Sequence, residues 1–297
     1  MSGVLSTTDL PSPVHRGKVR DIYDLGEVLL LVATDRLSAF DVVLPDGIPE
    51  KGVVLNEMSR FSFQKTAHLT PNHFIAMGSQ RDQVDHYVRD LPREVARRSM
   101  LVKKAKPVLV ECVVRGYLAG SAWAEYRRSG TVGGSNAPSG LRESQLLERP
   151  LFTPTTKAQT GHDEPMTASQ LERQVGPGLA RELERLTLGV YAFAQEYARG
   201  RGMIIADTKM EFGLIGDRII LIDELLTPDS SRFWDAALYQ PGRSQDSLDK
   251  QFVRDWLTRS GWNKEPPAPR LPAEVVQQTA RRYKEVYQRL TGQPLPS

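Results

Sequence analysis

Two segments in the second half of the chain combine strand-like patterning with charged side chains. They read MIIADTKMEFGL over residues 203–214 and RIILIDEL over residues 218–225. Because side chains alternate along a strand, Asp207, Lys209 and Glu211 share one face of the first segment, and its other face is apolar. The two segments therefore predict a β-hairpin that directs a row of carboxylate, lysine and carboxylate away from the core.

The second strand of this hairpin carries Asp223 on an otherwise apolar face. An isolated carboxylate there costs free energy unless it is paired or bound to a cation. A three-residue loop at 216–218 would place Glu211 opposite Asp223, about 5 Å apart at Cβ, whereas a two-residue loop at 216–217 would place them on opposite faces. In the first register the pair suits Mg²⁺, which takes one or two carboxylates with phosphate oxygens. A surface salt-bridge ladder with Lys209 is the alternative, and the hairpin alone leaves both open.

A basic turn near the start of the chain could meet phosphates. It reads HRGKVRDIY and contains Gly17, Lys18 and Arg20. A glycine-containing turn can direct backbone N–H groups and a lysine towards phosphate oxygens. The segment lacks the spaced glycines and the Ser or Thr of a Walker A loop. Taken alone, it is more simply interpreted as an ordinary basic turn.

A further charged segment, VECVVRGYLAGSAW, runs from an apolar strand into a predicted helix. It carries Glu111 and Arg115 where an unpaired charge is disfavoured. Arg115 suits a carboxylate or phosphate through two parallel hydrogen bonds. Ser121 lies at the start of the helix, whose free N–H groups could meet the same anion. A structural ion pair between Glu111 and an arginine is the alternative.

Three loops carry polar residues that could face a cleft. TDRLSAFD places Asp35 and Ser38 directly after a buried strand, TPTTKAQTGHDEP contains Lys157, and LLTPDSSRFWD contains Arg232. Each has an ordinary interpretation: a capped turn, a solvated loop and a Pro–Asp turn into a helix, respectively.

The elements that must position these residues follow from hydrophobic periodicity and from Pro and Gly signals. Before residue 107 the patterns predict strands at 28–34, 73–77 and 100–105, with helices at 53–67 and from Pro92. After it they predict a strand at 108–114, a capping box at Thr167–Gln170, and helices at 120–129, 178–199, 246–259 and 272–290. Residues 130–165, rich in Gly, Ser, Thr and Pro, predict a long irregular segment.

Composition narrows the class of protein. The 297 residues are 40% hydrophobic and 25% charged, which excludes a wholly disordered chain. No apolar run approaches the roughly 20 residues of a membrane span. The single cysteine allows no internal disulfide, which is typical of a reducing compartment. The formal charge of +3 comes from scattered basic residues. We therefore expect a cytoplasmic protein without nucleic-acid or membrane partners, either a monomer or a homo-oligomer.

Taken together, the motifs resemble those of the SAICAR synthetase family, in the order in which that family carries them. The matching segments span roughly residues 17–235 and read GKVRDIY (17–23), TDRLSAFD (34–41), VECVVRGYLAGSAW (110–123), the loop with Lys157 and HDE (162–164), IADTKMEFG (205–213) and IDELLTPDSSRFW (222–234). Each motif alone is weak, but six in order are highly specific.

The resemblance implies a reaction and a fold. ATP, the carboxylated aminoimidazole ribotide CAIR and L-aspartate would give SAICAR, ADP and phosphate through an acyl phosphate. The fold would be α+β with a two-lobed, kinase-like or ATP-grasp-like core. An antiparallel-sheet lobe, residues 1–107, would cover ATP against a larger α+β lobe, residues 108–297.

The resemblance also implies roles for individual residues. Those that would contact ATP are Gly17, Lys18, Arg20, Glu111 and Lys157, together with Glu211 and Asp223 as ligands of Mg²⁺. Those that would take part in catalysis are Lys18, Asp207 and Lys209. Those that would bind the ribotide are Asp35, Ser38, Arg115, Ser121 and Arg232. Some family members have lysine where this chain has Arg20, which keeps the charge but changes the hydrogen-bonding geometry.

Two other classes of protein would share some of these features. A small-molecule or protein kinase would also need ATP, Mg²⁺ and a cleft, but the HRD and DFG signatures of protein kinases are absent from the sequence. A non-catalytic nucleotide-binding module would seldom need both a carboxylate pair and many cations in its cleft. Aspartate-dependent release of ADP in the presence of CAIR would distinguish a ligase from both.

Overall fold

The computed structural model describes residues 3–8, 10, 15–157 and 164–296 of the chain. His162 and Asp163 of the HDE motif lie outside the described residues. Within the described ranges, no helix is long and apolar enough to cross a membrane.

The first hundred residues build a small antiparallel sheet with short helices. In the described part of this region, the elements are β1 His15–Arg16, β2 Arg20–Asp24, β3 Val28–Ala33, β4 Ser38–Ala39, β5 Val42–Val43, α1 Lys51–Thr66, β6 Phe74–Met77, α2 Arg81–Val84, α3 Arg93–Ala96 and β7 Ser99–Lys103. The sheet order is β1-β2-β3-β7-β6, and β4 pairs only with β5. The apolar run of β3 lies at the centre because its side chains are buried on both faces.

The rest of the chain builds a larger α+β lobe. Its described elements are β8 Lys106–Tyr117, α4 Gly120–Ser129, β9 Thr131–Val132, β10 Ser135–Asn136, β11 Leu146–Phe152, β12 Thr155–Thr156, α5 Ala168–Val175, α6 Pro177–Arg199, β13 Met203–Ile215, β14 Arg218–Ile222, β15 Ser231–Asp235, α7 Gln251–Arg259 and α8 Ala273–Thr291. The main sheet has the order β11-β8-β13-β14, while β12 also pairs with β8 and β15 with β13.

Alternation along β8 and β13 separates the core of the larger lobe from its polar face. On β8, Val110, Cys112 and Val114 are buried in one apolar cluster that includes Leu183 and Val190 of α6. The intervening side chains of β8 point to the other side of the sheet. Packing on α6 thus fixes which face of the sheet is free for polar residues.

Apolar residues that follow β3 in the small lobe pack against the last helices of the chain. Leu37, Leu44 and Ile48 form one buried cluster with Val253 and Leu257 of α7. Helix α1 also packs against α8. The small lobe is therefore joined to the last helices of the larger lobe by a core to which both ends of the chain contribute.

Most elements predicted from the sequence are present. The structure contains all four predicted strands before residue 115, the helix at 120–129 and the long helix that ends at Arg199. The capping box is confirmed: the Thr167 hydroxyl accepts a hydrogen bond from the Gln170 N–H, and the Gln170 side chain accepts one from the Thr167 N–H.

Three local predictions are wrong. Residues 130–157 are only partly irregular, because β9 pairs with β10, and β11 and β12 pair with β8 of the main sheet. The Pro228–Asp229 turn leads into strand β15 and not into a helix, because residues 231–235 pair with β13. Helix α7 begins at Gln251 and not at residue 246. The Asp249 carboxylate accepts a hydrogen bond from the Gln251 N–H at the start of the helix.

Candidate active site

A polar cavity of about 420 Å³ lies between the two lobes. The small lobe contributes Lys18, Arg20, Ser38 and Asp41, and the polar face of the main sheet forms much of the opposite wall. The charged side chains that line the cavity are Lys18, Arg20, Asp41, Glu111, Arg115, Asp207, Lys209, Asp223, Glu224, Asp229, Arg232, Asp249, Lys250 and Arg254. The seven cationic and seven anionic side chains balance each other, and most of the carboxylates are paired with a cation.

Glu111 and Glu211 lie directly opposite each other on β8 and β13. Two like charges in this position repel, and Lys209 lies between them. Its Nζ is 2.6 Å from Glu111 Oε1 and 3.4 Å from Glu211 Oε1. Burial by itself lowers the pKa of Lys209, but Glu211, Glu111 and Asp223 together raise it above its ordinary value. Lys209 is thus a fixed cation at the working pH.

Glu211 is buried and forms an ion pair with a second lysine in addition to Lys209. Lys157, which follows β12, donates a hydrogen bond to Glu211 Oε2. Burial raises the pKa of Glu211, but Lys209, Lys157 and Arg20 outweigh it and lower that pKa below the ordinary range. Glu211 is therefore an anion at neutral pH, able to exchange Lys157 for another cation.

The hairpin adopts the two-residue loop. Ile215 pairs with Arg218 and Glu211 with Ile222, so the three-residue register that placed Glu211 opposite Asp223 is wrong. Asp223 nevertheless lines the same cavity as Lys209. It follows the last residue of β14 and has a left-handed backbone with φ of 65°, which ends the strand alternation.

Arg20 connects Asp223 to the small lobe. Its Nη1 is 2.6 Å from Asp223 Oδ1, and its Nη2 is 2.8 Å from Glu224 Oε2. Burial lowers the pKa of Arg20, and the two carboxylates raise it to a net value above the ordinary one. In this structure Arg20 thus binds two carboxylates of the larger lobe.

Asp207 stands between two guanidinium groups. Arg232 donates a hydrogen bond to Asp207 Oδ2, and Arg115 Nη1 is 3.6 Å from the same oxygen. Arg115 also donates to the Ser121 hydroxyl, at 3.1 Å. A Cβ at Gly120 would lie 2.5 Å from Arg232 Nη2, so only glycine fits there. One carboxylate shared by two guanidiniums leaves a net positive charge, which favours an anion.

The alternative of a structural pair between Glu111 and Arg115 is excluded by this arrangement. Glu111 forms its ion pair with Lys209, while Arg115 faces Asp207, Ser121 and Thr153. Arg115 therefore keeps a hydrogen-bonding edge on the cavity.

The turn at Gly17 and the following loop bring fewer groups to the cavity than expected. Lys18 lines it and pairs with Asp41 at 2.5 Å, and Ser38 lies beside them. Gly17 closes a tight backbone turn, donating its N–H to the Arg20 carbonyl at 2.7 Å. Asp35 is fully buried and paired with Arg98 at 2.7 Å, so its role is to hold the loop.

Two basic residues of the cavity wall, Lys250 and Arg254, were not predicted from the sequence. They lie one helical turn apart, before and within α7, and both line the cavity. Their i,i+4 spacing on a helix start was the available signal. This spacing does not show that the two residues lie near the main sheet, however, because their position on the cavity wall depends on how α7 packs.

A larger cavity of about 660 Å³ lies elsewhere, between β11, α5 and α6. Its wall is mostly apolar and contains none of the predicted site residues. Charge and hydrogen-bonding capacity identify the smaller, polar cavity as the place for chemistry.

A small antiparallel sheet set over a larger α+β lobe, with cations and carboxylates facing each other between them, defines an ATP-dependent enzyme of the kinase-like or ATP-grasp-like class. A family model described as SAICAR synthetase matches residues 13–269. The chain belongs to the SAICAR synthetase family. It catalyses the ATP-dependent condensation of CAIR with L-aspartate in purine biosynthesis.

Relatives with similar sequences span the whole chain. Phosphoribosylaminoimidazole-succinocarboxamide synthase of Thermodesulfovibrio yellowstonii is 49% identical over 297 residues, covering 98% of this chain and 100% of its own. The enzyme of the same name from Syntrophobacter fumaroxidans is 50% identical over 291 residues, covering 97% and 96% respectively.

Solved structures show the same fold. SAICAR synthase from Saccharomyces cerevisiae, complexed with SAICAR, superposes with a TM-score of 0.88 at 42% identity, covering 99% of this chain and 100% of that one. A SAICAR synthetase in complex with ADP has a TM-score of 0.70 at 23% identity, covering 95% and 99%, and it supports the fold alone.

Proposed function

We propose that ATP, CAIR and L-aspartate meet in the polar cavity between the lobes and react through an acyl phosphate. A carboxylate oxygen of CAIR would attack the γ-phosphorus of ATP and release ADP. The amine of aspartate would then attack the acyl carbon and release phosphate. The observation that carries this proposal is the continuity of one sheet face, on which the Asp207–Arg115 pair and the Glu111–Glu211 pair are four residues apart.

The first step needs neutralisation of phosphate charge, and three lysines are placed to supply it. Lys209 is a half-buried, fixed cation at the centre of the sheet face. Lys18 and Lys157 are each held by one carboxylate and remain partly exposed. We propose that these two exchange Asp41 and Glu211 for phosphate oxygens when ATP binds, so that positioning and electrostatics supply most of the rate enhancement.

Mg²⁺ would be held by Glu211 and Asp223. In the part of the chain that the structure describes, no group of three or more His, Cys, Asp or Glu residues is arranged as a metal site. A hard cation that keeps phosphate and water ligands needs only one or two carboxylates, and the cavity wall provides oxygen donors of this kind. When bound, the ion would neutralise charge on the transferring phosphoryl group.

The ribotide would lie at the Arg115 end of the cavity. Arg115, Ser121 and Arg232 form a hydrogen-bonding edge with net positive charge, and Ser38 lies across the cleft. Asp207 would fix the orientation of both guanidiniums. Asp35 would not contact the ribotide, because its carboxylate is buried, pairs with Arg98 and accepts hydrogen bonds from the N–H groups of Leu5 and Gly52.

Replacing Arg115 by Ala is expected to raise the KM for CAIR about 30- to 140-fold, since a hydrogen bond to a charged group contributes about 2–3 kcal/mol and about 1.4 kcal/mol is a factor of ten. The KM for ATP should change little. Steady-state kinetics with each substrate varied in turn measures both constants. Arg149→Ala, at an exposed arginine of β11, is the matched control. Normal constants combined with an early melting transition would show that Arg115 only supports the fold.

The function itself is tested by coupled measurement of ADP. We expect ADP release to require both CAIR and L-aspartate, with one equivalent of SAICAR formed per ADP. Full turnover with CAIR but without aspartate would identify a kinase. Nucleotide binding without turnover under any substrate combination would identify a binding module.

We also propose that the enzyme works in the cytoplasm and that residue 107 marks the passage from one lobe to the other. The first proposal is supported by Cys112, which is free and buried, and whose pKa burial raises to about 12. The second is supported by the break at residues 104–105, between β7 and β8 and just before the proposed boundary, where the chain leaves the small sheet and enters the main one.

A further inference from the structure

The second step of the reaction requires a proton acceptor. The α-amino group of aspartate is an ammonium ion in neutral solution and has no lone pair with which to attack an acyl carbon. A group in the cavity must therefore remove one proton first. This inference rests on the acyl-phosphate route proposed above.

The carboxylates that line the cavity are already engaged. Their partners among the described residues are Lys18 for Asp41, Lys209 for Glu111, Arg232 for Asp207, Arg20 for Asp223 and Glu224, and Lys51 for Asp229. A carboxylate held by a cation is a weak base. Within the described residues Asp249 has no such cation, but its oxygens accept hydrogen bonds from the Phe233 and Gln251 N–H groups and from the Ser247 hydroxyl.

Lys250 differs from the other cations of the cavity. It immediately precedes α7, is half-buried and lines the cavity beside Arg232 and Arg254. Among the described residues, no carboxylate oxygen lies within the 4.0 Å that defines an ion pair with its Nζ. Lys250 is therefore a residue of the cavity wall whose amine has no fixed carboxylate partner among the described residues.

The charges around Lys250 come from three elements. Burial lowers the pKa of Lys250 to about 8, with help from Arg254 of α7 and Lys51 of α1, while Asp229 and Glu224 of the loop after β14 oppose the shift. About one tenth of this lysine is thus uncharged at pH 7, far more than for a lysine with the ordinary pKa. An uncharged amine can accept a proton from an ammonium ion, because the pKa values of the two groups are similar.

We propose that Lys250 is the base that accepts a proton from the α-ammonium group of L-aspartate. The lone pair on Lys250 Nζ takes the proton, which leaves a neutral aspartate amine and a lysine ammonium ion. The amine nitrogen forms a bond to the acyl carbon, the bond from that carbon to the phosphate oxygen breaks, and phosphate leaves with the electron pair. The second proton lost from nitrogen goes to the departing phosphate, and Lys250 returns its proton to solvent.

Hydroxylamine provides a test, because it is neutral at pH 7 and traps acyl phosphates as hydroxamates without a base. We expect Lys250→Arg, which keeps the positive charge but cannot act as a base, to lower aspartate-dependent turnover about 100-fold or more. The same variant should form hydroxamate from CAIR, ATP and hydroxylamine at a rate within about threefold of the unmodified enzyme. Lys264→Arg, at an exposed lysine, is the control and should leave both rates unchanged.

The outcomes separate this proposal from the proposed function. Loss of both rates to the same extent in Lys250→Arg would show that the residue binds or positions and is not the base. Retention of both rates would also overturn the proposal. Failure of the unmodified enzyme to form any hydroxamate, while still making SAICAR, would overturn the acyl-phosphate route and the Lys250 proposal with it.

Discussion

Glu211→Gln is expected to lower kcat about 1,000-fold, equivalent to about 4 kcal/mol of lost transition-state stabilisation. The change keeps the shape of the side chain but removes the charge that holds Lys157 and Lys209 and that would bind Mg²⁺. The variant should still fold, because the hydrophobic packing between β13 and α6 is on the other face of the sheet. Turnover at several Mg²⁺ concentrations, together with a thermal melt, measures both expectations.

Asp217→Asn is the matched control for this variant. It removes a carboxylate from the exposed turn of the same hairpin, three residues or more from any cavity residue, and should leave kcat unchanged. Near-normal turnover of Glu211→Gln at saturating Mg²⁺ would reject the role of Glu211 as a metal ligand.

Arg20→Met is expected to destabilise the protein by about 3–5 kcal/mol and to abolish turnover, because it leaves two poorly exposed carboxylates without their cation. Asp223 and Glu224 both depend on this one guanidinium, whose side chain is 10% exposed. Urea unfolding measures the free energy of unfolding, and ADP release measures the activity.

Arg20→Lys separates charge from geometry. A lysine supplies one compact charge and not a planar fork, so it can keep one of the two pairs well but not both. We expect it to recover measurable turnover and about half of the lost stability. If Arg20→Met unfolds at the same urea concentration as the unmodified protein, Arg20 does not hold the two lobes together.

Much of the site could be predicted because its residues are concentrated in short, distinctive segments. Alternation on the strand at 203–214 placed Asp207, Lys209 and Glu211 on one face. In the structure Asp207 and Lys209 line the cavity, while Glu211 is buried beside Lys209 and does not line it. Local patterning suffices where one strand fixes the direction of several side chains.

Other features depended on contacts between distant parts of the chain. The register of the hairpin could not be chosen from its residues, because the left-handed turn at Asp223 accompanies an ion pair with Arg20, about 200 residues away. Asp35 looked like a ligand residue, and its burial against Arg98 depends on the packing of the small lobe. Lys250 was missed since its place beside Asp229 follows from the docking of α7.

The core shared by the two ends of the chain has a consequence for how the enzyme is made. Leu37, Leu44 and Ile48 pack against Val253 and Leu257, which lie about 200 residues further along the chain. At a synthesis rate of about 5–20 residues per second, these partners are made about 10–40 seconds later. During that interval these apolar side chains lack the part of their cluster that comes from α7, and chaperones or other nascent chains can bind them. Because closing so long a loop is slow, this cluster is completed only late in the synthesis of the chain.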